Sequence, residues 1–126
     1  QEEVVNRICA LPGSRTYGRL TVMVQALCRT EKLFSVGAGA FSPPPRVSSA
    51  VIRLVPRPAT GIANYRHLAG MVRQAFSQRR KTLRNGLKGC LDEQQLLQCG
   101  LDPGMRPEQV TVEEFVRMAN NVRRET

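Results

Sequence analysis

Two groups of residues in this sequence carry side chains suited to chemistry on a polyanion. The first is Phe41-Ser42-Pro43-Pro44-Pro45-Arg46. Each proline holds its own φ near the extended polyproline value and pushes the preceding residue out of the helical region, so the run is a stiff mount for the Phe41 ring with the cation of Arg46 close behind. A ring held that way can stack on a flat base. The more ordinary use of such a ring is as an apolar anchor where a loop enters a strand. The second group is Arg73, Arg80, Arg84 and Lys88, with Ser77 among them and Lys81 beside the row. On a helix these positions share one face and offer successive phosphate contacts. Arg79 falls on the apolar side of the same wheel, where a guanidinium needs carbonyls or a carboxylate, so it is expected to act as a structural brace rather than a substrate contact.

Composition favours the same class of partner. Nineteen Lys and Arg stand against ten Asp and Glu, a formal charge of +9 over 126 residues. Sixteen of the nineteen are Arg, whose planar fork suits bidentate phosphate contacts and stacking on bases. Nucleic acid is the expected partner. No apolar run is long enough to cross a bilayer, so no membrane role is expected. Cys9, Cys28, Cys90 and Cys99 lack C-x-x-C spacing, and His67 is the sole histidine. No metal site is expected, and four scattered thiols without an export signal read as reduced cysteines of a cytoplasmic protein.

The elements that must position these groups follow from periodicity. A short element after Gln1 ends at the turn formers Leu11-Pro12-Gly13-Ser14. A helix is predicted from Gly18 to Arg29, with Leu20, Val24, Leu27 and Cys28 covering one face of a sheet. Strands are predicted over Glu31 to Val36 and Val47 to Val55, both apolar enough for a buried sheet interior. The breakers Pro56-Arg57-Pro58-Ala59-Thr60-Gly61 predict a boundary between domains 1–58 and 59–126. Beyond it a single helix is predicted from Asn64 to Lys88, with Leu68, Val72, Ala75, Phe76, Leu83 and Leu87 facing a core. Asp92 is predicted to cap a helix ending at Gly100, and Thr111 with Glu114 to form a capping box ahead of a stripe of Phe115, Met118, Ala119 and Val122.

With these features in view, the chain resembles the C-terminal half of the KsgA family of small-subunit (16S) ribosomal RNA adenine dimethyltransferases. The resemblance rests on Gln1-x-Glu3-Val4-x-x-Arg7, on Tyr17 through Gln25, on Phe41 through Ala50, and on Ala75 through Asn85, the most specific of the four. It implies an α/β fold: the end of a Rossmann-like methyltransferase sheet of two or three strands with helices, followed by a small all-α domain that docks ribosomal RNA. It also implies S-adenosylmethionine as the cofactor of the full-length enzyme, and two adjacent adenines of small-subunit ribosomal RNA, in the ribosomal subunit precursor, as substrate. The adenine amine is a weak nucleophile, so such a site must hold a flipped base in line with the methyl donor. Phe41 would stack on that base, while Arg46, Arg73, Arg80, Lys81, Arg84 and Lys88 would bind RNA.

Neither the glycine-rich cofactor loop nor the Asn-Leu-Pro-Tyr-type catalytic loop of that family occurs in these 126 residues. No catalytic residue, no bound cofactor and no activity are therefore expected of this chain by itself, which reads as the rear portion of something longer. Strands without their sheet neighbours would expose apolar edges, so self-association through them is expected. The alternative is a freestanding basic helical module that binds RNA or DNA without catalysis.

Overall fold

The computed structural model describes residues 1–37, 48–58 and 61–123, with the side chains of 122 and 123 left aside. Phe41 and Arg46 therefore lie outside the described residues. The architecture is α/β. Helices α1 (Glu2–Ile8) and α2 (Arg19–Leu27) precede strands β1 (Cys28–Val36) and β2 (Ser49–Pro56), and the described elements after them are helical: α3 (Tyr65–Ser77), α4 (Leu83–Gly86), α5 (Glu93–Gln98), a 3-10 turn at Pro107–Gln109 and α6 (Val112–Arg123).

The two strands pair antiparallel, from Cys28 opposite Pro56 to Val36 opposite Ser49. The register slips between Lys32 and Phe34, leaving Leu33 as an extra residue, a β-bulge that bends the ribbon. Helix α1 lies against this hairpin. Its Glu2 amide donates to Ser48 O at 3.1 Å, and Lys32 Nζ reaches Glu2 Oε2 and Asn6 Oδ1, each at 3.1 Å.

The expected buried sheet interior is not found. Leu33, Phe34, Val51, Leu54 and Val55 are all exposed, Phe34 by 55%. Only two strands are paired among the described residues, so the apolar side chains on both faces outnumber the surface that α1 and α2 can cover. The face of α2 also differs from the one its apolar periodicity predicts. Leu20 and Leu27 are exposed, and the buried residues of the helix are Thr21 and Val22. The reason is polar. Thr21 Oγ1 donates to Arg7 O and accepts the Gly18 amide, while Gln25 Nε2 donates to Ile8 O at 2.9 Å and Ala10 O at 3.0 Å. The Gln25 bonds pair the carbonyls of Ile8 and Ala10 at and just past the end of α1, the Thr21 bond adds to Arg7 O, and together they turn the Thr21–Gln25 side of α2 inward.

The core joins this region to the later helices. Tyr17 and Val22 are buried in one cluster with Leu68, Met71, Val72, Leu83, Leu87, Leu96, Phe115 and Met118. At about 1.5–3 kcal/mol for each large apolar side chain fully removed from water, this cluster dominates the favourable side of folding. Caps hold the helix ends as predicted. Asp92 Oδ1 accepts the Gln95 amide at 2.8 Å, Gln95 Oε1 accepts the Asp92 amide at 2.9 Å, and Thr111 and Glu114 exchange the equivalent pair. Helix α5 ends at Gln98, and Gly100 just past its cap takes φ +80, after which the Leu101 amide returns to Leu96 O at 3.0 Å.

The single helix predicted from Asn64 to Lys88 is broken. Helix α3 stops at Ser77, Gln78 leaves helical geometry (φ −122, ψ 52), and Thr82 is extended before α4 begins. No glycine or proline marks the break. The amides of Leu83 and Arg84 instead donate to Met105 O at 2.8 Å and Pro103 O at 3.0 Å. A loop distant in sequence thus supplies acceptors that a continuous helix would have taken from residues 79 and 80. The predicted core residues survive the break: Leu68, Val72, Ala75, Leu83 and Leu87 are at most 1% exposed, with Phe76 packed beside them.

Candidate nucleic-acid interface

Arg79 explains the local geometry. Its guanidinium lies 5.8 Å from the centre of the Phe76 ring, and one nitrogen donates to Arg15 O at 3.1 Å, Ser14 O at 3.5 Å and Glu108 Oε2 at 3.4 Å. Phe76 is itself edge-on to Tyr17 (6.1 Å between centres) and tilted against Phe115 (5.7 Å). Two segments distant in sequence, Ser14 with Arg15 and Glu108, therefore meet on one cation, and reaching them takes residue 79 off the helical path. The brace expected at this position is what the side chain makes.

The break redistributes the expected basic row. Arg73, Arg80, Lys81, Arg84 and Lys88 are all exposed, but they do not share one helix face. Arg84 and Lys88 border a depression with Asp92 and Glu93, and Arg84 is already paired to Glu93 at 3.2 Å. This corner is electrically neutral. Arg80 turns the other way, into a groove of about 510 Å³ lined by Arg15, Arg79, Arg106 and Glu108. Arg73 borders a third groove of about 610 Å³, between α2 and α3, with Arg19 and Arg66. Lys81 lines none of the grooves described.

A fourth groove links these last two. It is lined by Arg7, Arg15, Arg19 and Arg79, sharing Arg15 and Arg79 with the Arg80–Arg106 groove and Arg19 and Leu20 with the Arg73 groove. The result is a continuous cationic track from Arg106 and Arg80, past Arg15 and Arg7, to Arg19, Arg66 and Arg73. Periodicity within α3 could not find it, because its members come from α1, the loop before α2, α2, α3, the connection between α3 and α4, and the loop before the 3-10 turn. The legible signal was only the excess of arginine across the whole chain. Adjoining concavities lined by one sign of charge focus the field and attract a polyanion more strongly than the same charges spread over a convex face.

Such a surface suits phosphate and does not suit a sulfonium cofactor. Four of the five grooves described carry a net positive lining, and the fifth is the neutral Arg84–Glu93 corner. The grooves described therefore offer no net negative lining to face the sulfonium of S-adenosylmethionine. Among them, no group of three side chains converges as a metal site, and no helix is long and apolar enough to cross a membrane. All four cysteines are free thiols, with Cys99 buried and burial raising the pKa of Cys90.

A family model described as ribosomal RNA adenine dimethylase matches residues 1–124. The chain is 54% identical over 123 residues to ribosomal RNA small subunit methyltransferase A of Hydrogenovibrio crunogenus, covering 95% of this chain and 46% of that protein. It is 50% identical over 124 residues to the protein of the same name from Pseudomonas putida, covering 97% and 46%. The fold superposes on a dimethyladenosine transferase from Plasmodium falciparum with a TM-score of 0.82 at 24% identity, covering 94% of this chain and 53% of that one. It superposes on the 23S rRNA methyltransferase ErmE with a TM-score of 0.64 at 26% identity, covering 98% and 52%. The chain spans about half the length of the curated relatives it matches. By this match along nearly its whole length, the chain belongs to the ribosomal RNA adenine dimethylase family.

Proposed function

We propose that this chain is the RNA-docking rear portion of an S-adenosylmethionine-dependent ribosomal RNA adenine N6,N6-dimethyltransferase acting on two adjacent adenines of the small subunit during ribosome biogenesis in the cytoplasm. The observation that carries the reading is the identity of 50% or more, over nearly the whole chain, to proteins named ribosomal RNA small subunit methyltransferase A. The cationic track supports it independently, since an enzyme acting on structured RNA must hold the backbone while one base is extracted. In this reading residues 1–58 complete the catalytic sheet and 59–126 dock the ribosomal subunit precursor. The cofactor binds to a part of the protein outside this chain. Phe41 forms one wall of the adenine pocket, and Arg46, Arg73, Arg80 and Lys81 contact RNA. Arg84 and Lys88, at the neutral corner, contribute less.

The exposed apolar hairpin gives the isolated chain a surface for pairing with a second copy. Methyl transfer from labelled cofactor to small ribosomal subunits, measured for this chain and for an upstream-extended form, tests the proposal. Transfer by the extended form, with RNA binding but no transfer by the chain alone, is the expected result. An extended form that binds the subunit but transfers nothing would eliminate the enzyme reading in favour of a binding module.

A further inference from the structure

The groove between α2 and α3 differs from the rest of the cationic track in carrying an exposed aromatic ring, since the Phe76 that lines the Arg7–Arg15 groove is held by Tyr17, Phe115 and Arg79. Tyr65, the first residue of α3, is 46% exposed at its rim, beside an apolar wall formed by Leu20 and Met23. Arg19, Arg66 and Arg73 surround it, all exposed and with no hydrogen-bond or ion-pair partner among the described residues. Every other ring contact among the described residues is committed to the core through Tyr17, Phe76 and Phe115. A free phenol face, an apolar wall and three unpaired guanidinium groups together match one ligand chemistry: a planar base flanked by phosphates.

We infer that this groove is a binding site for one unpaired nucleotide of single-stranded RNA, its base stacked on Tyr65 and its flanking phosphates held by Arg19, Arg66 and Arg73. The inference rests on the RNA-docking reading above and adds strand selectivity to it. A duplex keeps its bases stacked on one another and cannot place one on Tyr65, whereas an unpaired strand can do so whatever its sequence, because every base has a π-face. The junction with the Arg7–Arg15 groove gives the same strand a path toward Arg80 and Arg106. Charge complementarity excludes a cationic or purely apolar occupant. A groove of about 610 Å³ accommodates a nucleotide.

The test measures binding of a fluorescein-labelled oligouridylate and of a blunt RNA duplex to the full chain and its variants by anisotropy at fixed salt. Tyr65→Ala is expected to weaken oligouridylate binding about 5- to 150-fold while leaving the duplex unchanged, and Tyr65→Phe, which keeps the ring, to bind as the wild type. Circular dichroism of Tyr65→Ala should match the wild type, because the ring is half exposed and the cap at Asn64 is independent of it. Three results would overturn the site: no loss of oligouridylate binding in Tyr65→Ala, equal losses for Tyr65→Phe and Tyr65→Ala, or an oligoglutamate peptide competing as well as RNA at equal charge. If wild-type chain binds RNA and loses it on Arg80→Ala with Arg106→Ala but not on Tyr65→Ala, the nucleotide site fails alone. If the wild type binds neither RNA, the docking reading fails with it.

Discussion

The phenol of Tyr17 donates a hydrogen bond to the carbonyl of Val110 at 2.6 Å, across 93 positions of sequence, and both residues are fully buried. That single bond closes the loop before α2 onto the loop before α6. It also makes the protonation of Tyr17 part of the fold. Burial, and secondarily the charge of Glu114, raise its pKa well above the ordinary value of 10.0. Because the folded pKa lies above the unfolded one, the contribution is complete below pH 10.0 and is lost as pH rises beyond it, where only the unfolded chain ionises freely.

Tyr17→Phe should therefore cost about 1–3 kcal/mol at neutral pH, the penalty for leaving the Val110 carbonyl buried without a partner. Urea unfolding at neutral and at strongly alkaline pH checks this. The variant should lie below the wild type at neutral pH, and the gap should narrow as the alkaline limb is entered.

Arg79→Ala should destabilise the chain by about 1–2 kcal/mol, because the bonds to the loop carbonyls and the stacking on Phe76 both disappear. Arg79→Lys should recover only part of this, since an ammonium on a shorter stem cannot both reach Ser14 O, Arg15 O and Glu108 Oε2, as Arg79 Nη2 does, and lay a planar group on Phe76. Thermal unfolding gives the ranking. A salt dependence of RNA affinity that Arg79→Ala leaves unchanged would mark the residue as a brace.

Removing cations from the track should differ from removing them at the neutral corner. Arg80→Ala with Arg106→Ala should reduce the slope of log affinity against log salt by about 0.7 for each single-strand phosphate that is no longer neutralised. Arg84→Ala with Lys88→Ala removes the same formal charge next to Asp92 and Glu93, and should move that slope much less. Anisotropy titrations across a salt series separate the two pairs.

Phe41→Ala in the upstream-extended protein should lower turnover more than subunit binding, because a stacking residue orients the base for reaction. Steady-state methyl transfer compared with subunit co-sedimentation reads the two effects. Equal losses would assign the ring to packing.

Wherever a local rule sufficed, the amino-acid order alone determined the outcome. Asp92 with Gln95 and Thr111 with Glu114 are capping pairs within one turn, Gly100 takes the positive φ its position requires, and the 3.6-residue repeat identified Leu68, Val72, Leu83 and Leu87 as buried even though the helix carrying them is interrupted. The excess of positive charge was legible from composition, and the family from four short motifs.

Tertiary structure decided what depended on partners distant in sequence. The break after Ser77 exists because Met105 and Pro103 carbonyls and the Arg79 cluster compete with helical bonding, and no window around residue 80 contains them. The inward face of α2 was set by Thr21 and Gln25 bonding to carbonyls at the end of α1, against the apolar pattern of its own sequence. The cationic track arose because six separate segments were brought side by side. A helix wheel reports only neighbours within one element, whereas the field a polyanion meets is the sum over all charges that folding gathers on one surface.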